Sequence, residues 1–366
     1  MRVNPQIHYE LWALLRIRDM GVNSRRLYTK YERYYKILRY QFLCMAKKTL
    51  TTMFEDFHED QPPCPKCSSS ENIIKSGSRK VRDETVQVYF CKSCSKKFIN
   101  RKLLYTSYPP KIILAALTYY NQGHTQEMTV QTMRRKYKIK IPITTFNSWI
   151  SRHQEELPFT KLRKKYDLDP NQTIKTRRLF HPQPYLFKVH TLKLNIKGKQ
   201  FPELKRYIND MLKNPMDHLF QSKKVLRVSE LANTLNIPKP AIRAVKDSPA
   251  CRMTDLALEL AKTKSERHQK VEEFFLVNDS ATIAVEVPVY LTESESGFKK
   301  PLTGHIDLIQ VRSNRIHIMD YKPDESGNVV NQLLLYAKCL KKRTKLSNIT
   351  CAYFDENAFF QFTPTY

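Results

Sequence analysis

The 366 residues are enough for two or three domains, and 63 Lys plus Arg against 35 Asp plus Glu give a formal net charge of +28. That field draws polyanions, so nucleic acid is the expected partner: DNA leads, RNA fits the charge equally well, and an anionic membrane surface is the weaker alternative. No run of about 18 apolar residues is present and the start, Met1-Arg2-Val3-Asn4-Pro5, lacks a signal-peptide core, so no membrane span is expected and the compartment is cytoplasmic, nucleoid-associated in a prokaryote or nuclear in a eukaryote.

Residues 1–58 read as helical. Tyr9 to Ile17 is a continuous apolar stretch, and Arg25 to Leu50 contains no Pro or Gly. Tyr28, Tyr31, Tyr34, Tyr35, Tyr40 and Phe42 interleave there with basic residues, forming a helix-pair core or a surface laid along DNA. Glu55 to Pro63 reads as a linker. Cys64-Pro65-Lys66-Cys67 follows, and after 23 residues Cys91-Lys92-Ser93-Cys94. Two such knuckles close a tetrahedral Cys₄ site on one structural Zn²⁺, and Val86 to Phe90 supplies a strand between them. The remaining cysteines, Cys44, Cys251, Cys339 and Cys351, are scattered and expected to be reduced.

With Ile74-Lys75-Ser76-Gly77 and Val88 to Phe98, this stretch resembles the zinc ribbon that opens many insertion-sequence transposases. In those proteins a helix-turn-helix follows. Here Ile112 to Asn121 is predicted helical, Gln122-Gly123-His124 is a turn, and Met128 to Tyr137 is a second helix. Ile143 to His153 reads as the recognition helix, with Phe146, Trp149 and Ile150 inward. Thr144, Thr145, Asn147, Ser148 and Arg152 are then left for a major groove. The resemblance stops near residue 157.

Residues 158–222 are basic and broken by Asp169-Pro170 and His181-Pro182, which predicts a linker or a small α+β module. Tyr185 to Ile196 alternates like a strand, and Phe201 to Leu212 is helical. His181 and His190 are lone histidines and are not read as ligands. Val228 to Ile237, with Ser229 as cap, and Ala241 to Val245 after Pro240 predict a second helix-turn-helix. Seven glycines and the lack of a Gly-rich phosphate loop argue against nucleotide hydrolysis.

The chemistry concentrates further on. Gly304 to Ile309 is one strand, Arg312-Ser313-Asn314 a turn, and Ile316 to Lys322 a second strand. Ile316, Ile318, Asp320 and Lys322 share a face, which places the carboxylate and the ammonium ~6–7 Å apart along the strand. Pairing the strands brings Asp307 towards Asp320. Two carboxylates there repel unless a hard cation, Mg²⁺ or Mn²⁺, sits between them.

Gly304-His305-Ile306-Asp307, then Asp320-Tyr321-Lys322, then Gln332-Leu333-Leu334-Leu335-Tyr336 resembles the RecB-like branch of the PD-(D/E)XK nucleases, over roughly residues 252–362. The resemblance implies that Asp307 and Asp320 bind the metal and that Lys322 is the catalytic lysine. It also implies that Gln332 and Tyr336, on one helix face, support the site or touch DNA. His268, in a His-x-x-x-Glu helix with Glu272, is implied as a further ligand. The glycine usual just before this histidine is absent, and Glu266, Glu272 and Glu273 are alternatives for its role. Thr282 to Leu291, with Glu286, is the strand the family places next.

The expected fold class is multidomain α+β. A helical region spans 1–58, a zinc ribbon 59–105 and a helix-turn-helix 106–157. The basic segment spans 158–222, a second helix-turn-helix 223–250, and an α/β restriction-endonuclease-like core with a mixed sheet 251–366. The expected function is a DNA-binding, Mg²⁺- or Mn²⁺-dependent nuclease of a mobile element, a defence system or DNA repair and recombination. The alternative is a non-catalytic site-specific DNA-binding protein whose nuclease fold serves as a scaffold or homodimer surface.

Overall fold

The computed structural model describes residues 62, 64, 66, 67, 72–81, 84–99, 108–181, 183–222, 224–323 and 328–364. The helical region expected over 1–58 lies outside the described residues. Two compact units divide the rest, the cysteine-bearing strands and the residues from 108 onward.

In the first unit β1 (Ile73–Val81), β2 (Glu84–Cys91) and β3 (Lys96–Ile99) form a three-stranded sheet in that order. Tyr89 lies opposite Phe98 across β2 and β3, and their rings stack 5.7 Å apart. Asn72, just before β1, is left-handed at φ 60°, and so is Ser95, between Cys94 and β3, at φ 57°. The Lys92 N–H donates to the Asn72 carbonyl at 3.0 Å.

The second unit opens with three helices, α1 (Pro110–Asn121), α2 (Gln126–Tyr137) and α3 (Ile143–Arg152). Pro110 suits the first turn of α1, where no N–H is missed. Thr125 caps α2 by accepting from the Met128 N–H, and Lys138 ends it in the left-handed conformation. Gly123 makes the turn between α1 and α2 at φ +112°, and a Cβ there would meet the Leu168 carbonyl at 2.9 Å. In α3 Phe146, Trp149 and Ile150 are buried, while Thr144, Asn147, Ser148 and Arg152 are exposed and Thr145 is half-buried.

A nine-stranded mixed sheet forms the centre of this unit. Its order is β4 (Ile174–Phe180), β5 (Pro184–His190), β8 (Thr282–Leu291), β9 (Leu302–Arg312), β10 (Arg315–Tyr321), β11 (Ile349–Phe354), β12 (Phe359–Phe362) and β7 (Arg243–Ala244). The short β6 (Leu226–Arg227) pairs in parallel with β9. β10 and β11 are parallel, joined by α9 (Val329–Thr344), and the neighbours on this path are otherwise antiparallel. The remaining labelled helices are α4 (Thr191–Lys197), α5 (Pro202–Lys213), α6 (Val228–Ala232), α7 (Pro249–Leu258) and α8 (Arg267–Asn278). Among the described residues no helix is long and apolar enough to cross a membrane.

The sheet separates two cores. On one face α4, α5, α6 and α9 cover Ile316, Ile318, Val287 and Ile306. On the other, α7, α8 and the three-helix module share one core with Met319, Tyr321, Val285 and Leu308. The module is therefore fused to the sheet layer. A buried polar lock reinforces the joint: the Asn121 amide donates to Asn278 Oδ1 at 2.9 Å, and the Asn278 amide donates to the Thr118 hydroxyl at 3.0 Å.

Three expectations change. The segment 158–222 is neither a linker nor a separate module, because β4 and β5 extend the central sheet through the pairing of β5 with β8. The alternation seen from Tyr185 is β5 as far as His190, and α4 takes over at Thr191. The second helix-turn-helix over 223–250 does not form. Its first helix stops at Ala232, Pro238 and Pro240 leave the following chain irregular, and Arg243–Ala244 pair with β12 as an edge strand.

Candidate metal centre

The β9–β10 hairpin closes through Ser313 and Asn314, both left-handed at φ 45° and 56°, a two-residue turn whose twist matches the strands. Its register pairs Met319 with Leu308, so Asp320 comes opposite Asp307 one step further on. The Tyr321 N–H donates to Asp307 Oδ2 at 3.2 Å. Lys322, just past the strand, holds its ammonium 3.2 Å from Asp320 Oδ1.

His268 projects from the first turn of α8 and reaches both acids near it, with Nε2 3.1 Å from Asp307 Oδ2 and 2.9 Å from Glu272 Oε1. Glu266 and Glu273, the other candidates for its role, lie elsewhere. Glu266 accepts from the Lys262 N–H, and Glu273 pairs with Lys188 at 2.6 Å and Lys270 at 3.2 Å. The Gln332 amide donates to the Tyr336 hydroxyl at 3.1 Å, as their shared face on α9 requires. Gly304 lets that ring lie against β9, for a Cβ there would fall 2.6 Å from Tyr336 Cε1.

Two further residues belong to this constellation. Glu286 on β8 shares a cluster with His268 and Glu272, their donor atoms all within 4.8 Å of one another. His305 pairs through Nδ1 with Glu286 Oε2 and stacks on the Tyr185 ring at 4.6 Å. The backbone explains how Glu286 reaches the site. Val285 and Leu308 pack in one core, but Val287 and Ile306, two residues along each strand, pack in the other. A regular strand keeps residues i and i+2 on one face. Here both strands change face across the Glu286–Asp307 level, and Glu286 takes up the change at φ 53°. The signal for Glu286 in the sequence is a lone carboxylate inside a ten-residue strand that is otherwise almost wholly apolar.

The charge state follows from burial and proximity. Burial alone would raise Asp307, but the His268 charge, hydrogen bonds from Asp320 and His268, and the Lys322 charge hold it well below the usual carboxylate range. Asp320 is pushed well above that range, by burial first and by the Asp307 charge second. The pair thus shares one proton. Glu272 is likewise pushed well up by burial and the nearby Glu286 charge. For His268 burial opposes the proton, yet Asp307 and Glu272 outweigh it and push the imidazole up to about 12.

A divalent cation fits this donor set. Both Asp320 oxygens and Glu272 Oε1 are buried with no N–H donor aligned on them, and Glu286 Oε2 beside them has only His305 Nδ1. Buried carboxylate oxygens left in this state are costly unless a cation meets them.

In the first unit Cys64, Cys67, Cys91 and Cys94 bring their sulfurs within 4.8 Å of one another, with Cys64–Cys94 at 3.5 Å and Cys67–Cys91 at 3.6 Å. A tetrahedron of Zn–S bonds near 2.3 Å separates its sulfurs by ~3.8 Å, so the cluster is compatible with Zn²⁺. Burial works against the Cys64 thiolate, but the Lys66 and Cys67 amides outweigh it and bring it down to about 6. Burial and the three neighbouring sulfurs push Cys94 up to about 12.

No protein-family model matches this chain, and no curated protein or solved structure matches it either.

Proposed function

We propose that the protein is a metal-dependent nuclease of the PD-(D/E)XK type that hydrolyses phosphodiester bonds in DNA. Its zinc ribbon and its three-helix module, with α3 in the major groove, select where it cuts. The observation that carries this is the run of contacts that joins four side chains from three elements, His268 to Asp307, Asp307 to Asp320 and Asp320 to Lys322. Asp307 and Asp320 are the principal cation ligands, His268 is a third, and Glu272 and Glu286 stand beside them. A bound Mg²⁺ or Mn²⁺ supplies Lewis acidity towards a phosphoryl oxygen and lowers the pKa of a water.

The chain's own side chains do the rest. Lys322 positions the attacking water and meets the charge that develops on phosphate. The Tyr321 N–H holds Asp307 in place on one oxygen. Gln332 and Tyr336, joined by their own hydrogen bond on α9, support the site or touch DNA. The setting would be a mobile element, a defence system or DNA repair and recombination.

The test is incubation of labelled duplex DNA, single-stranded DNA and RNA with the wild type and Lys322→Ala, in Mg²⁺ or Mn²⁺. Cleavage by the wild type, lowered about 10²–10³-fold in the variant, is expected. Binding without cleavage by either protein would leave a non-catalytic DNA-binding protein.

A further inference from the structure

We propose that the cleft between α1, α2 and α8 holds a single nucleic-acid strand and leads it towards the Asp307–Asp320 centre. This deepens the nuclease proposal and rests on it for the strand's destination, but not for its binding.

The cleft has a volume of about 910 Å³ and is lined by Lys111, Lys136, Lys188, Lys262 and Lys270 against only Glu266 and Glu273. Both glutamates are already engaged. Glu266 accepts from the Lys262 backbone, and Glu273 is held by Lys188, Lys270 and Gln269. Among the described residues, no carboxylate pairs with the ammonium groups of Lys111, Lys136 or Lys262. Ammonium groups repel one another unless dispersed or met by anions, and here they converge on one hollow.

Two aromatic rings, Tyr119 and Tyr137, share the wall with these lysines. The Lys136 ammonium donates to the Tyr119 hydroxyl at 2.6 Å and so fixes that ring at the cleft. Cationic grooves with aromatic platforms are how proteins hold unpaired strands, phosphates on the charges and bases on the rings. The volume is that of a small-ligand site, which admits a few nucleotides of one strand but no duplex.

Continuity gives the direction. α8 is a shared wall: Lys270 and Glu273 face this cleft, while His268, Gln269 and Glu272 line a second one of about 570 Å³ that also contains Glu286. Lys188 lines both. Beyond it, Arg178 on the edge strand β4 lines the second cleft.

The test uses the full zinc-loaded chain without added Mg²⁺ or Mn²⁺, so that binding alone is read. Dye-labelled oligothymidylate, oligouridylate and a duplex, each of about 12 nucleotides or base pairs, are titrated across salt concentrations by anisotropy. The variants are Lys111→Ala/Lys136→Ala/Lys262→Ala and a control that removes equal charge beside α5, Lys199→Ala/Lys205→Ala/Lys213→Ala. The cleft triple should flatten the log K against log salt slope for single strands by about 2, from ~0.7 per lost phosphate contact, and the control by much less. A flattened slope in the thymidylate arm identifies a DNA strand, and one in the uridylate arm alone an RNA strand. Equal flattening by both triples, no change in the cleft triple, or an effect confined to the duplex would each overturn the proposal. If the wild type cleaves nothing but the cleft triple loses strand binding, the nuclease proposal falls and this one stands.

Discussion

Gly304→Ala tests how the site is supported. The perturbation is one methyl group placed where β9 passes beneath α9 and α6. The new Cβ would lie 2.6 Å from Tyr336 Cε1 and 3.1 Å from Val228 Cβ and Cγ2. Carbon atoms in contact rest ~3.5–4.0 Å apart, so the tyrosine ring must yield by about 1 Å. It has little room, being 4% exposed and surrounded by core on α9. Overpacking of this kind costs ~1–3 kcal/mol. Gly304 is not in the left-handed region, so the cost is one of packing and not of backbone conformation. Denaturant unfolding of Gly304→Ala, Tyr336→Ala and the double variant, followed by far-UV circular dichroism, measures it. With the ring absent, only the milder squeeze on Val228 remains, and the methyl group should cost less than half as much. Equal cost with and without the Tyr336 ring, or no cost in either background, would sink the explanation.

Three other outcomes are expected. Chelation of zinc, or Cys91→Ser, should unfold the ribbon, seen as loss of protection from proteolysis over residues 64–99, and should leave the melting of the second unit unchanged. His181, buried and hydrogen-bonded to Thr303 at 2.8 Å, is held down to about 4 by burial and by the neighbouring His305 and Arg227 charges. Its unfolded value is higher, so it contributes stability that is present above pH ~6.5 and lost as pH falls towards 4; relative to His181→Gln, the wild type should weaken by up to ~3 kcal/mol across that window in thermal melts. Asn278→Ala should cost ~1–3 kcal/mol in the same melts, because it removes the partner of the buried Asn121 amide and of the Thr118 hydroxyl.

What was legible in the sequence was what short-range pattern determines. The three helices from Pro110 to Arg152 lie within two residues of the extent that periodicity predicts, and the β9–β10 turn falls on Ser313 and Asn314, inside the Arg312–Asn314 that turn chemistry marks. The strand from Thr282 to Leu291 was legible through the family resemblance, not through alternation. The meeting of Asp307 with Asp320 was legible too, because a hairpin fixes its own register. Longer-range pairings were not. Arg243–Ala244 is a strand only because β12 lies beside it, and nothing in Ala241 to Val245 records that neighbour. The attachment of β5 to β8 joins residues nearly a hundred positions apart. Glu286 was visible on its strand, but its place at the site was not, for a related reason: it depends on a face change shared by two strands, and regular alternation does not record one.

That face change ties two properties to a single position. An L-residue held at φ 53° costs of order 1–3 kcal/mol, and glycine would hold the same angle almost freely. Glu286→Gly would therefore relax the backbone and at the same stroke delete an acid from the cluster around His268. On the cation-binding reading proposed above, evolution towards a sturdier fold and evolution towards tighter cation capture pull this codon in opposite directions. An engineer seeking heat resistance should leave it alone and look to residues far from β8.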